Sequence, residues 1–416
     1  MANSLITNQY IARKAIKLAR NKNSWIRMVD RQYDSEFERS GAVPGQSIRI
    51  RQPVDYVLRR GANAVIQNST QNVVTLTVAS QTGVDMGFTS VDRTMNVDRF
   101  TETFIVPAVN VVIGGLAVDT MAVVEGGSSA FSARFDANGN LLTPNAGTWL
   151  HAKAALEKTG VPYDDYKVVM SPDTQATTVE ALAGYFNSQP LLAKQYENGD
   201  MSRALGFDWM DDQTILIHTT GTLASAGSTY AASKGWSFTT VAGANQTGNV
   251  LTVAALTGTL KKGDIICIDL VCGANPVTKS STGGLRTFAV TSDVPSGSTT
   301  IPIYPALLGP DGTGNQQQYQ TVMSSPTNGA VIYSKIAASV AYRKNIAFVP
   351  KAVALVTVDL IMPPNVDCAR EVFDEMSVRV LTQYAFASDV LGTRLDLLSG
   401  SVGLKPEWVV TVADPV

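Results

Sequence analysis

From residue 104 to 124 the chain reads FIVPAVNVVIGGLAVDTMAVV, apolar at nearly every position with Asp119 as its only charge. Pro107 suits a first helical turn, where its missing N–H is not needed, and Gly126 and Gly127 supply a stop, so the pattern predicts a helix from about 106 to 125. A helix that is apolar on all sides is either sandwiched in a large core or crosses a membrane. Asp119 and Asn110 lie well inside the stretch, and a central Asp costs roughly 2.5–3.5 kcal/mol in a bilayer. No second segment matches it in length and hydropathy. We therefore expect a buried spine helix, with sheet or neighbouring chains covering it, and no membrane.

Around this stretch the spacing varies. Residues 4–33 read as an amphipathic helical arm, broken at 34–45 by charges, Gly41, Pro44 and Gly45. In SIRIRQPVDYVLRR, Ile48 and Ile50 alternate with Ser47, Arg49 and Arg51, a period of two that predicts a strand. NVVTLTVASQTGVDMGFTS repeats that texture, and together the two runs predict a long two-stranded hairpin over 46–89. Two strands alone are marginal in water and expose their edges, so such an arm needs something outside itself to lie on. Helices are expected at 147–158 and in TTVEALAGYFN, interleaved with strands in YKVVMSP and TILIHTT, which makes 100–220 α+β. From 221 to 329 the helical signal stops. Six short runs (GWSFTTV, NVLTVAAL, GDIICIDLV, LRTFAVTSDV, TTIPIYPAL, YQTVMSS) separated by turns indicate an inserted all-β barrel or sandwich. Mixed texture resumes afterwards. In the tail, elements at 371–384 and 393–399 flank a short loop, and VGLKPEWVVTVAD closes as a strand.

A chain of 416 residues has material for two or three domains. Its charged fraction, 16 %, is well under the ~25 % usual for soluble domains, which suggests that much of its outside meets protein. The net charge of −2 is unevenly spread: residues 1–60 carry +7 and the remainder −9. Such asymmetry signals a partner, and another copy of the same chain offers the opposite charge. Binding to phosphates usually requires a more pervasive basic field. Three cysteines give no disulfide framework and fit a reducing compartment. The basic, amphipathic residues 1–20 could be mistaken for a transit peptide, yet they continue into ordinary sequence without a cleavage-like boundary.

Catalytic patterns are scarce. His151 and His218, the two histidines, lie in different segments without a Ser or Cys motif beside them. Cys267 and Cys272 point to opposite faces if their strand is regular, which disfavours joint metal ligation and leaves them as buried thiols. DANGN at 136–140 resembles half a calcium loop but has its Gly in the fourth place and no acidic twelfth residue, so a tight turn is the better reading. GPDGTGN at 309–315 lacks the Lys-Ser/Thr ending of a phosphate loop. Asn68-Ser69-Thr70 and Asn245-Gln246-Thr247 fit glycosylation sequons, which matter only on secretion. No catalytic residue, cofactor or metal is assigned. Arg49, Arg51, Arg59 and Arg60 could contact phosphates, but lacking interleaved aromatics beyond Tyr56 they are assigned to a subunit interface, as salt-bridge donors to acidic neighbours.

Several stretches occurring in order resemble the major coat proteins of tailed bacteriophages, specifically the P-twenty-two-like branch. They are LEKTGVPYDDYKVVMSP, ENGDMSRALGFDWM, LTGTLKKGDIICIDLV followed by NPVTK, NIAFVPKAVALVTVDLIMPP and RLDLLSGSVGLKPEWVV. The resemblance implies an α+β Hong Kong ninety-seven type capsid fold with an inserted β-barrel. It assigns 1–45 to an N-terminal arm and 46–90 to the extended hairpin, or E-loop. The peripheral domain with the spine helix is 91–127 and 345–398; the axial domain is 128–220, 330–344 and 399–416; the insertion is 221–329. Within the insertion, Lys261-Lys262-Gly263-Asp264 would form a turn in which Gly263 permits positive φ. Where the type member has a charged inter-capsomer loop, residues 242–249 here are uncharged. The implied function is a structural, non-catalytic shell protein that assembles as hexamers and pentamers with a scaffolding protein and a portal. The shell encloses double-stranded DNA without reading its sequence, and the protein is found in the virion and, during assembly, in host cytoplasm. A secreted β-rich adhesin is the alternative that the Ser/Thr/Gly-rich region 221–329 suggests.

Overall fold

The computed structural model describes residues 24–31, 47–52, 54–59, 61–63, 66, 72–89, 104, 106–161, 165–182, 203–223, 229–310, 318–364, 366–373, 376–385 and 390–416. The chain forms two compact units: Met1–Ile50, Val74–Met121 and Val353–Val402 make the first, and Arg51–Val73, Ala122–Ala352 and Gly403–Val416 the second. Strands dominate. The described α-helices are α1 (Ser24–Met28), α2 (Val106–Glu125), α3 (Ala146–Lys158) and α4 (Pro172–Leu182).

The first unit holds a five-stranded sheet in the order Val353–Val358, Val390–Gly403, Met376–Ala385, Asp367–Phe373, with Ser80–Thr89 also paired to Val390–Gly403. That last pairing corrects the expected hairpin. Ser47–Arg51 does pair with Val73–Thr77, but Ser80–Thr89 leaves it and runs antiparallel to residues 390–399 at ten successive positions. Ten ladder positions satisfy more backbone than the five residues of Ser47–Arg51 could, and polar groups left unpaired at an edge are costly. Thus much of the segment expected to project rests on its own chain. In α1, Trp25, Ile26 and Met28 are buried, and Asp30 joins Val353–Val358 through backbone bonds to Val353 and Leu355. The rest of the expected arm helix lies outside the described residues.

Helix α2 has the predicted bounds and is long and apolar enough to cross a membrane by length and composition. It is less enclosed than expected. Ala108, Val109, Val112, Ile113, Leu116, Ala117, Thr120, Met121 and Val124 are buried, whereas Asn110, Val111, Gly115, Val118 and Asp119 form an exposed stripe at helical spacing, with Val111 65 % exposed. Met121 is its last residue in the first unit and Glu125, its last residue, belongs to the second.

The second unit contains two seven-stranded sheets. One runs Ala130–Ser132, Val409–Pro415, Ala341–Phe348, Lys167–Met170, Phe207–Asp211, Arg203–Ala204, with Ile217–Thr219 on the edge of Ala341–Phe348. Helix α3 starts in a capping box between Asn145 and Thr148 and buries Trp149, Ala152 and Leu156 against Val168, Met170, Phe207, Val410 and Val412. Trp149 meets Trp209 edge to face, ring centres 4.8 Å apart. The other sheet runs Tyr230–Ala231, Gly235–Thr240, Val331–Ser334, Ile265–Ala274, Ser281–Val290, Thr300–Leu307, Gly248–Thr252. A bridge between Val241 and Val253 links the second strand of this order to its last, around a core that includes Ile266, Ile268, Phe288, Val290, Ile301 and Ile332. Val331–Ser334 extends this sheet past residue 329, the expected end of the β-rich region.

Candidate functional site: a buried ionic junction and the predicted interface residues

Four ionisable side chains far apart in sequence meet inside the second unit. Glu125 ends α2, at the negative pole of the helix dipole, where a carboxylate is disfavoured unless cations answer it. Lys344 does, with His218 beside it. Glu125 Oε1 lies 3.1 Å from His218 Nδ1 and 3.4 Å from Lys344 Nζ. On the other side of the ring, His218 Nε2 is 2.8 Å from Asp264 Oδ1, and His218 is only 5 % exposed. Each ring nitrogen thus faces a carboxylate oxygen, and at least one of the two contacts is a ring N–H donated to a carboxylate. Asp264 Oδ2 accepts the Lys261 and Gly221 N–H groups at 2.8 and 3.1 Å, so its carboxylate is fully engaged.

The elements explain the convergence. Pairing of Ile217–Thr219 with Ala341–Phe348 puts His218 opposite Tyr342, whose ring it meets edge-on, and Lys344 lies two residues further along that strand. Asp264 closes the turn 261–264, where Gly263 adopts φ +91, as the family resemblance implied. Gly263 donates to the Val290 carbonyl, and the Val290 N–H returns a bond to Asp264 O. Within the second unit the junction therefore ties Glu125, the sheet of Ala341–Phe348 and the β-rich insertion together. Burial alone would raise the Glu125 pKa, but the His218 hydrogen bond and the charge of Lys344 outweigh it and hold the carboxyl at about 2. Burial lowers the pKa of Lys344 against the pull of Glu125, and burial pushes the Tyr342 hydroxyl well up. The two carboxylates meet opposite ends of the ring and do not converge on one point. Among the described residues no group of three or more His, Cys, Asp and Glu side chains could hold a metal ion.

Sequence reasoning pointed to the turn but not to its partners, because separations of 46 and 93 residues from His218 leave no local signature. Of the predicted arginines, Arg49, Arg51 and Arg59 are described. Arg49 and Arg51 are exposed on strand Ser47–Arg51, whose Ile50 faces inward. Arg59 turns back on its own loop, donating to the Gly61 and Asn63 carbonyls. Arg60 lies outside the described residues, as do 311–317 of the Gly-rich loop and the sequon at 68–70. DANGN is a tight turn in which Asp136 accepts from the backbone of Asn138 and Asn140 at 2.8 Å. The strand of Cys267 and Cys272 is not regular: its pairing with Ser281–Val290 shifts between them, Cys267 is buried, and Leu270 stands between at φ +62. Asn245, Gln246 and Thr247 lie in a turn held from inside. Gln246 Nε2 donates to the Ala242 and Thr252 carbonyls at 2.7 and 2.8 Å, and its Oε1 accepts the Thr252 N–H.

Compared with known protein families, residues 42–412 match the model described as P22 coat protein, gene protein 5. The chain belongs to the P22 coat protein family. It is a major capsid protein: its work is to form the shell of a bacteriophage particle, and the virion is its location. Nothing in the match favours an adhesin. No curated protein matches this coat protein. Among solved structures it is similar to one from Mycobacterium phage Che8, at 10 % identity and TM-score 0.46, covering 94 % of this chain and 91 % of that one. The capsid of Ralstonia phage GP4 is similar at 6 % identity and TM-score 0.43, with 90 % and 84 % covered. The CUS-3 coat protein I-domain matches 23 % of this coat protein and 92 % of its own length, at 22 % identity and TM-score 0.19. The buried junction accordingly lies inside a shell subunit.

Proposed function

We propose that this coat protein closes into an icosahedral shell of hexamers and pentamers with the Hong Kong ninety-seven type of fold, the sheet around Ile265–Ala274 being an inserted barrel. The observation that carries this reading is the extent of the family match, 42–412, which runs through both compact units. In this reading the arm is 1–45, the E-loop lies within 46–90 with its end 80–89 laid on 390–399, the peripheral domain is 91–127 with 345–398, the axial domain 128–220 with 330–344 and 399–416, and the insertion 221–329. Exposed Arg49 and Arg51 would pair with acidic side chains of a neighbouring copy, Arg59 would shape the E-loop tip, and Arg60 would join the same interface.

Assembly takes place in host cytoplasm with a scaffolding protein and a portal, and the finished shell holds double-stranded DNA without sequence-specific contacts. A scaffold is consistent with subunit contacts that close only at the correct rotation. Electron microscopy of the purified protein, alone and with its scaffold, is expected to show shells or ring-shaped capsomers. Monodisperse monomers under every condition would overturn the reading.

A further inference from the structure

In the second unit an open groove of about 940 Å³ separates Ala130–Ser132 and α3 from the β-rich insertion. Its lining carries Lys158, Lys234, Arg286, Lys335 and His151, and not one Asp or Glu. Two of these cations have carboxylate partners beyond the lining, Lys234 on Asp269 at 2.7 Å and Arg286 on Glu407 at 3.7 Å. Lys335 gives one N–H to the Ser233 carbonyl and lies beside the Cys267 thiol, so neither of these contacts answers its charge with a carboxylate. Lys158 is exposed at the end of α3. The groove therefore keeps an excess of positive charge. Phe131, Phe135 and Tyr230, each half-buried, add apolar surface beside it. Such a lining fits an acidic peptide that also carries aromatic rings.

Residues 207–212, FDWMDD, have that composition but are built into the strand Phe207–Asp211; a second such peptide lies near the amino terminus. Residues 33–38, YDSEFE, hold three carboxylates, two aromatic rings and no cation, and they lie outside the described residues. We propose that the groove of one subunit receives residues 33–38 of a second copy. The proposal rests on the coat reading, which places many copies side by side. Charge complementarity of this kind selects partner and register more than it adds affinity, and neighbours held in one shell present the peptide at high effective concentration.

A charge swap tests the pairing. Lys158→Glu with Lys335→Glu in the groove, and Asp34→Lys with Glu36→Lys and Glu38→Lys in the peptide, are each expected to lower the assembled fraction tenfold or more in sedimentation. Circular dichroism should stay native, and the five substitutions combined should restore most of the assembly. Undiminished assembly of either set, or damage without rescue, overturns the pairing. A second measurement covers variants that fail to fold. Cys272 lines the groove, so Phe37→Cys should give inter-subunit disulfides in oxidised particles, seen as a ladder on a non-reducing gel and abolished by Cys272→Ser. Particles without a ladder overturn the proposal; a wild-type chain that never assembles counts against the coat reading instead.

Discussion

Gly83 sits directly opposite Asp396 in the ladder between Ser80–Thr89 and Val390–Gly403, and a Cβ on Gly83 would stand 2.6 Å from Asp396 Oδ1. Asp396 cannot step aside. It is fully buried, and its two oxygens take charged hydrogen bonds from Arg379 Nη2 and Arg394 Nε, both at 2.6 Å. Arg379 is itself the cross-strand partner of Asp396 and also donates to the Ile361 carbonyl. Gly83→Ala is therefore expected to destabilise the first unit by about 2–3 kcal/mol, the cost of overpacking a site whose neighbour is fixed. Urea titration of the isolated subunit measures it. An unchanged midpoint would show that the two strands separate freely here.

The turn 242–249 makes a different prediction, because its order comes from one neutral side chain. Gln246 bonds Ala242, Gly243 and Thr252 at once, the Gly243 N–H donates to Asn328 Oδ1, and the Asn245 N–H donates to the Pro326 carbonyl. Gln246→Ala removes these side-chain bonds at a solvent-exposed place, where water replaces them at a net loss of about 1 kcal/mol each or less. Hydrogen exchange at the Thr252 amide should speed up at least fivefold, while amides of the buried strand Ile265–Ala274 keep wild-type rates. Equal protection in the variant would place the order elsewhere.

The fold was legible where local pattern determines the outcome. Pro107 and Gly126-Gly127 bracketed α2 because helix ends are decided by neighbouring residues, while the turn at Gly263 came from the family resemblance. Pairing was harder. Nothing within 80–89 says that its partner lies three hundred residues away at 390–399 and not in 47–51, since both runs alternate equally well. The junction at His218 was hidden for a related reason: Glu125, Asp264 and Lys344 are ordinary charged residues in their own segments, and only tertiary packing makes a buried cluster of them. Exposure of Val111 and Val118 could not be read from a stretch that is apolar on every face.

Arg49 and Arg51 separate from Arg59 in what their loss should do. The first two are exposed on a strand and need not shape the monomer, so Arg49→Glu with Arg51→Glu should leave its thermal midpoint within a degree or two and cut shell yield severalfold. Arg59 holds the Gly61 and Asn63 carbonyls, and Arg59→Glu should loosen residues 59–63 as well, which limited proteolysis would detect. Shell yield unchanged by the strand pair would remove these arginines from the interface.

The junction also sets an acid limit. Glu125 has its folded pKa depressed from 4.5 to about 2, so its ionised form favours the folded chain. That contribution is complete above the unfolded value of 4.5 and is lost as pH falls through the folded value of about 2. With its side chain 22 % exposed, screening trims it to about 2–3 kcal/mol. Two other groups act in the opposite sense. Burial raises the Asp414 pKa despite Thr174 and Arg343, so protonation of Asp414 returns stability in acid. Lys344, its pKa lowered by burial against the pull of Glu125, returns stability only as pH rises toward 10.5. Total stability against pH therefore mixes terms, and the difference between wild type and Glu125→Gln isolates one. The variant should be less stable by that amount between pH 5 and 8, and the gap should narrow steadily from pH 4.5 downward. Denaturant unfolding at stepped pH reads this directly; a gap that stays constant down to pH 2.5 would mean that Glu125 draws no stability from His218 and Lys344.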